Sequence, residues 1–344
     1  MVTIKDIAKA AGVSPSTVSR VISNHDRISS ATSSKVKRIM EEMGYHPNIM
    51  AKSLVSKTTK TLAIMLPRPA EELFKDFFFG ELLRGILTHS TIAGYDMLLT
   101  AATSPMDEKE TVSRLVFGRR VDGVILLSSR VSDPLISMLD KQQFPTVLIG
   151  RTDEQAGILS VDNDNEQAAY DATKHLILQG HERIGFVSGP PNLTVSLDRM
   201  AGYRRALQEQ GLELRSEWVV EGEYLQHSGY RAMTFLMNLQ ERPSALVVID
   251  DAVAFGVLHG LTELGFAVPE DICIVSFNNI ALSELASPPI SSIDIGTYQL
   301  GYTASQMLIR RIVDQPSVHQ NRVIIPHRLI VRESSLLSLP KRVK

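Results

Sequence analysis

Cysteine is almost missing from this chain: among 344 residues there is one, Cys273. A lone thiol excludes an internal disulfide and a cysteine-based metal centre. Its place in the apolar run Ile272 to Phe277 reads as that of a small core hydrophobe. No stretch approaches the roughly 20 apolar residues that a membrane helix needs, so no membrane is expected among the partners. The opening residues Met1-Val-Thr-Ile-Lys-Asp6 are broken by polar side chains and lack the apolar core of a secretory signal, so the expected location is the cytoplasm. Catalytic signatures are absent as well: there is no Gly-x-Ser-x-Gly elbow, no Gly-x-x-x-x-Gly-Lys phosphate loop and no His-Glu-x-x-His helix. The adjacent acids Asp250 and Asp251 fit capping or sugar-binding roles better than an ion site. Neither an enzyme nor any metal or cofactor is expected.

The length suits two folded units of unequal size. Overall charge is only −2, but it is unevenly spread: through Lys60 ten basic residues face four acidic ones, a net +6 that leaves −8 for the remainder. A basic head on an acidic body is the asymmetry of a nucleic-acid arm on a sensing domain, although solvated lysine clusters are also common.

Three short helices are legible in the head. Thr3 caps the first, with Asp6 three places on and Ile4, Ile7, Ala8 and Ala11 on one face, until Gly12 stops it. Ser14 followed by Pro15 starts the second, which turns Val18, Val21 and Ile22 inward. The third begins near Ser29 or Ser30, carries Val36, Ile39, Met40 and Met43 at helical spacing, and ends at Gly44. The tight Ala11-Gly12-Val13 turn makes a helix-turn-helix of the first two. Its second helix offers Pro15, Ser16, Thr17, Ser19 and Arg20 to base edges and phosphates. Caps and spacing alone also describe a small bundle that binds a protein. After Pro47, the segment 48–56 has an apolar stripe of Ile49, Met50, Ala51 and Leu54 but is too short to hold a helix unaided.

From Lys60 onward, apolar runs alternate with helical patterns. Strands are expected at 61–66, 97–100, 123–127, 146–149, 184–188, 218–220, 245–249 and 272–277; helices are expected at 81–93, 109–117, 133–141, 165–179, 199–210, 229–239 and 253–264. Such alternation predicts an α/β class with parallel sheets in two lobes. Ligands bind beyond the carboxyl ends of parallel strands. The residues there include Ser128, Ser129, Arg151, Arg199, Asp250 and Asn278, with Phe78, Phe79 and Tyr224 as apolar faces. Planar hydrogen-bonding groups and hydroxyls in that number suit a polyhydroxylated small molecule. Singly, each is equally an ordinary cap, loop or core residue.

The run Thr3-Ile-Lys-Asp-Ile-Ala-Lys-Ala-Ala-Gly-Val-Ser-Pro-Ser-Thr-Val-Ser-Arg-Val-Ile22, with Gly44-Tyr-His-Pro-Asn48 and Ala51-Lys-Ser-Leu54, resembles the headpiece and hinge of the lactose/galactose repressor family. Val161-Asp-Asn163, Gly180-His-Glu-Arg-Ile-Gly-Phe-Val-Ser-Gly-Pro190, Ile249-Asp-Asp251 and Pro288-Pro-Ile-Ser-Ser-Ile293 resemble its periplasmic-binding-protein-like body, and the stretch through Phe277 to Ser287 is most similar to maltose-operon repressors. The resemblance implies that Pro15, Ser16 and Arg20 read major-groove bases and that Thr3, Ser19, Asn24 and Arg27 hold phosphates. It also implies a hinge helix over Asn48, Ala51, Lys52 and Leu54, with Leu54 in the minor groove. In the body it implies that Arg199, Tyr224, Asp250 and Asn278 bind effector. Two departures bear on the ligand: Asn278-Asn279 replaces a pair of acids, and Asp76-Phe-Phe-Phe79 replaces the usual Asn-Pro-Phe-Phe.

Together these features lead us to expect a regulator that represses sugar-utilisation genes under control of a small sugar, maltose or a related maltooligosaccharide. The competing expectation is a sugar-binding protein or sugar-acting enzyme on the same core without a DNA role. The expected organisation is a headpiece at 1–46, a hinge at 47–59 and a body at 60–338. Its first lobe is expected at about 60–161 and 291–322 and its second at 162–290 and 323–338. One recognition helix covers few base pairs, so a homodimer on pseudopalindromic operator DNA is expected. The region after Phe74 and that from Leu282 to Ala286 are the expected contacts, and the Pro340-containing tail lacks a heptad.

Overall fold

The computed structural model describes residues 2–23, 26–46, 58–67, 76–102, 104–152, 157–314 and 321–336. The chain divides into two compact units, Met1–Thr59 and Lys60–Lys344.

The first unit holds α1 (Ile4–Ala11), α2 (Pro15–Ile22) and α3 (Ser30–Glu42). Asp6 accepts from the backbone N–H of Thr3 at 2.9 Å and from its hydroxyl at 2.7 Å, closing the start of α1. Those two bonds hold the Asp6 carboxyl below its ordinary pKa. Ser14 caps α2 by accepting from Thr17 N–H at 3.1 Å, with proline at the first turn where no donor is needed. Gly12 turns the chain with φ 65°, a left-handed conformation that costs other residues more. Ile7, Ala8, Ala11, Val18, Val21, Val36 and Ile39 form the small core, on the helix faces expected from their spacing.

The second unit is α/β, with two six-stranded sheets. Its first lobe begins with β1 (Thr61–Leu66), α4 (Phe77–Ile92), β2 (Asp96–Ala101), α5 (Pro105–Phe117), β3 (Gly123–Leu126), α6 (Pro134–Lys141), β4 (Thr146–Ile149) and β5 (Leu159–Asn163). The second lobe takes α7 (Asn165–Leu178), β6 (Ile184–Ser188), α8 (Thr194–Glu209), β7 (Val219–Glu221), α9 (Gln226–Leu236), β8 (Ala245–Val248), α10 (Asp251–Glu263), β9 (Cys273–Phe277), α11 (Ala281–Leu285) and β10 (Ser291–Asp294). The chain then returns to the first lobe for α12 (Thr297–Asp314) and β11 (Arg322–Ile325), and crosses once more to β12 (Arg328–Ile330). Strand order is β11-β5-β4-β3-β1-β2 in one sheet and β12-β10-β9-β8-β6-β7 in the other. Pairing is parallel throughout except between β10 and β12.

Buried on both faces, the central strands read as continuous apolar runs. In β1, Leu62 and Ile64 enter one hydrophobic cluster, while Ala63 and Met65 enter another. Burying each large side chain stabilises the fold by about 1.5–3 kcal/mol before entropy is subtracted. Helices α4 and α12 run so close that a Cβ on Gly85 would overlap the Tyr298 carbonyl, and one on Gly301 that of Leu82.

The lobe boundaries differ from those expected. Ser291 to Asp294 stay in the second lobe because β10 pairs with β9, Ser291 opposite Val275. Val323 to Ile325 belong to the first lobe, not the second, because β11 pairs with β5, Val323 opposite Val161. Strands β5, β10, β11 and β12 and helix α12 were not among the expected elements. The first two carry polar residues, Asp162, Asn163, Ser291 and Ser292, which are buried here and mimic a loop in the sequence. Helix α4 starts at Phe77 rather than Glu81, because Asp76 caps it by accepting from Phe78 N–H at 2.9 Å.

Candidate functional site

Between the two lobes, at the carboxyl ends of their strands, lies a cavity of ≈ 320 Å³, at the lower end of the usual range of about 300–1,000 Å³ for small-molecule sites. Phe78 and Phe79 reach it from the first turn of α4, Ser128 and Ser129 from the end of β3, and Asp162 and Asn163 from the end of β5. The second lobe contributes Asn165, Arg199, Tyr224, Asp250 and Asn278.

Arg199 is 3% exposed. Its Nε donates to Asn165 Oδ1 at 3.1 Å, its Nη1 donates to the Ile249 carbonyl, and its guanidinium lies 4.1 Å from the centre of the Phe277 ring. Burial pulls its pKa down, opposed by Tyr224, Asp250, Asp162 and Asp251, but a guanidinium keeps its proton in a protein. Asp250 caps α10, accepting from Val253 N–H at 2.7 Å. Tyr224 meets Ser196 Oγ through its hydroxyl at 3.2 Å.

Asn278 and Asn279 both lie in the left-handed region, at φ 96° and 50°. Backbone in that region persists only where its surroundings hold it. The holder is buried Asp251, which accepts from Ile280 N–H at 2.8 Å, from Ser292 Oγ at 2.7 Å and from Ser276 Oγ. Arg332 adds a bond to Asn279 Oδ1 at 2.7 Å. Burial pushes the Asp251 carboxyl up to about 6. Asp162 is likewise pushed up to about 6 by burial. Its Oδ1 accepts from Asn163 N–H at 2.8 Å and Asn165 Nδ2 at 3.0 Å, whereas its Oδ2 has no hydrogen-bond partner and lies 3.5 Å from Arg322 Nη2.

In the first unit Pro15, Ser16, Ser19 and Arg20 are exposed on α2, opposite buried Val18 and Val21. Thr17 is half-buried, with its hydroxyl 2.8 Å from Ser14 Oγ. Thr3 and Arg27 are exposed, and the Thr3 hydroxyl is engaged by Asp6.

Residues 3–48 match bacterial regulatory proteins of the lacI family, and residues 173–335 match a periplasmic binding protein-like domain. Catabolite control protein A of Priestia megaterium is 35% identical over 335 residues, 97% of this chain and 99% of its own. The chain belongs to the lacI family. The HTH-type transcriptional regulator MalR of Streptococcus pneumoniae is also 35% identical, over 338 residues, 96% of this chain and 99% of its own. Among solved structures, the complex of transcriptional regulator CelR with cellobiose matches with a TM-score of 0.76 at 32% identity, covering 97% of this chain and 100% of that one. Like these lacI-family relatives, the chain is a transcriptional regulator rather than an enzyme. No helix among the described residues is long and apolar enough to cross a membrane.

Of the effector residues expected in this lacI-family body, seven line one cavity: Phe78, Phe79, Ser128, Arg199, Tyr224, Asp250 and Asn278. Arg151 does not line it. It turns aside to Asp198 on α8, donating from Nε at 2.7 Å and Nη2 at 2.6 Å, because a carboxylate presents two oxygens that match the guanidinium fork. Asp162, Asn163 and Asn165 line the cavity without having been read as site residues. They follow Ile158-Leu-Ser-Val161, a strand-end signal obscured by Ser160 and by their own polarity. The expected DNA contacts Asn24, Asn48, Ala51, Lys52 and Leu54, and with them most of the hinge, lie outside the described residues.

Proposed function

We propose that this lacI-family regulator is a sequence-specific repressor of sugar-utilisation genes, controlled by a neutral sugar of the maltose or maltooligosaccharide class. The observation that carries the ligand reading is the charge of the cavity wall. Asp76, Asp162, Glu223 and Asp250 line it against Arg199 and Arg130, and Arg130 is already paired with Glu108 at 2.6 Å and Asp133 at 3.4 Å. Such a wall repels a phosphorylated ligand and offers a polyol many acceptors. The aromatic groups Phe78, Phe79 and Tyr224 and the kinship to MalR, and to a regulator complexed with cellobiose, support the same reading.

The exposed Pro15, Ser16, Ser19 and Arg20 on α2 support major-groove reading, and Thr3 and Arg27 support phosphate contact at its flanks. A homodimer on a pseudopalindrome follows from the small footprint of one such helix. Ile92 at the end of α4, 75% exposed, and Leu285 on α11, 80% exposed, are apolar and accord with the two expected contact regions.

Calorimetry of the full chain with maltose, cellobiose, glucose 6-phosphate and a purine base tests the ligand reading. Binding of a neutral glucoside alone is expected; binding of the phosphosugar or the purine alone would overturn it. Anisotropy with a duplex selected from a random pool, with and without the sugar that binds, tests the switch, and sugar without effect on DNA affinity would remove the control proposed.

A further inference from the structure

We infer that the body has a DNA-contacting surface of its own, in which arginines at the amino end of the first-lobe sheet hold the phosphate backbone beside the bases that the headpiece reads. This rests on the DNA reading above and not on the choice of sugar. The surface lies at the end of the strands opposite the effector cavity. Arg114 stands in the last turn of α5, and the turn leading from α5 to β3 carries Arg119 and Arg120. Lys60, at the head of β1, meets that turn by donating from its backbone N–H to Asp122 Oδ2 at 2.9 Å. Helix α12 reaches the same end, since Leu308 and Ile312 pack on Gly123 at the start of β3, and it brings Arg310 and Arg311. Arg311 lines a small cavity with Thr146 and Leu159, at the starts of β4 and β5.

Beyond Lys60 the chain has a net charge of −8, and carboxylates there outnumber cations. Elsewhere in the body the arginines find them: Arg130, Arg151, Arg205, Arg215 and Arg328 are each paired with an acid. Arg114, Arg119, Arg120, Arg310 and Arg311 are all exposed, and among the described residues none of their side chains has an ion-pair or hydrogen-bond partner. Three acids lie at the same end, Asp96, Asp122 and Asp140. Of these, Asp122 and Asp140 accept from the backbone N–H groups of Lys60 and Gly157, at 2.9 and 2.8 Å. Cations in a last turn also answer the negative end of the helix dipole, which accounts for Arg114 and Arg311. It does not account for Arg119 and Arg120, which lie beyond the end of α5.

Unpaired guanidinium groups concentrated on one end of an acidic body fit a polyanion, because the arginine fork matches two oxygens of a phosphate. DNA is the polyanion that the chain itself ties to this end: Lys60 opens the body directly after the segment that follows the headpiece. Contacts to phosphates fix orientation and add affinity without reading sequence, which suits a rigid surface lacking a helix for the major groove. None of these residues belongs to α4 or α11, the elements with the expected dimer contacts.

The test is anisotropy of the full chain with the selected duplex and with random DNA, between about 0.05 and 0.2 M salt. Arg119→Asn combined with Arg120→Gln should weaken both duplexes by the same factor. It should also lower the slope of log affinity against log salt by about 0.9 for each phosphate contact removed. Asparagine is chosen at 119 because that residue sits in the left-handed region at φ 49°. Arg310→Gln combined with Arg311→Gln, on a separate element, should act in the same way and keeps the test open if the turn variant does not fold. Arg119→Lys combined with Arg120→Lys should retain most of the slope, since the charge stays. Calorimetry should show an unchanged sugar affinity in every variant, as the arginines stand away from the cavity. Affinity and slope unchanged in both neutral pairs, or a loss confined to the selected duplex, would overturn the surface and leave the headpiece reading standing. Absence of salt-dependent binding to either duplex by the unaltered chain would overturn both.

Discussion

Arg151, at the end of β4 in the first lobe, grips Asp198 on α8 of the second with two hydrogen bonds of 2.7 and 2.6 Å. Beside this pair, Val131 N–H donates to the Asn192 carbonyl at 3.0 Å and Thr194 N–H to the Ser129 carbonyl at 3.1 Å. One margin of the cavity is therefore sewn shut across the lobes. Both partners are mostly buried, with side chains 23% and 18% exposed, so the pair is worth more than a surface ion pair. Asp198→Ala is expected to weaken effector binding by about 1–2 kcal/mol, roughly 5–30-fold, because closure around the ligand loses its clasp. Calorimetry giving an unchanged Kd would show that the pair has no part in closure.

Asp250 has two duties, as cap of α10 and as cavity wall. Asp250→Asn keeps a side-chain oxygen to accept from Val253 N–H, so unfolding stability should change by less than about 1 kcal/mol. Effector response should nevertheless be lost, because a ligand shifts an equilibrium only through contacts that differ between the two states. Reporter or anisotropy assays retaining full sugar response would take Asp250 out of the site.

The raised carboxyls make a signed prediction. Asp162 ionises near 6 in the fold against 3.8 as the ordinary value, so between those values the native state binds more protons than the unfolded chain. Its charge is therefore a burden that is absent below about pH 4, grows with rising pH and saturates above about pH 6, reaching about 3 kcal/mol with the favourable field of Arg322 already included. Asp162→Asn should match the native protein in urea unfolding at pH 4 and be more stable at pH 7. An advantage that does not vary with pH would contradict this. Asp251→Asn should behave differently, because both of its oxygens already accept hydrogen bonds, and an amide must set an NH₂ against either Ile280 N–H or the Ser276 and Ser292 hydroxyls. That variant should lose stability and, by loosening Asn278, effector affinity.

Arg20 is the sharpest test of the headpiece. Exposed on the outer face of α2, it is expected to pair with a guanine through two hydrogen bonds, so Arg20→Ala should cost about 1–3 kcal/mol on the selected duplex and relax preference at one base pair. An equal loss on random DNA, measured at the same salt, would reduce Arg20 to a phosphate contact.

The amino-acid sequence by itself determined the local devices of this protein. Ser14-Pro15 starts a helix and Gly12 ends one wherever the chain goes, because caps and left-handed turns are satisfied within a few residues. The apolar runs of β1, β3, β4, β6, β8 and β9 were legible for a related reason, since strands covered on both faces admit little else. Only the tertiary structure decided that Arg151 faces Asp198 and not the ligand, since these residues meet through the crossing of lobes and not through any spacing. It alone turned Asp162, Asn163, Ser291 and Ser292 from apparent loop into buried strand. Their polar side chains are tolerated because partners distant in sequence, among them Ile295, Arg332 and Asp251, hydrogen-bond Asn163, Ser291 and Ser292. A buried polar residue carries no local signature of its burial, because the groups that satisfy it are brought together only when the chain has folded.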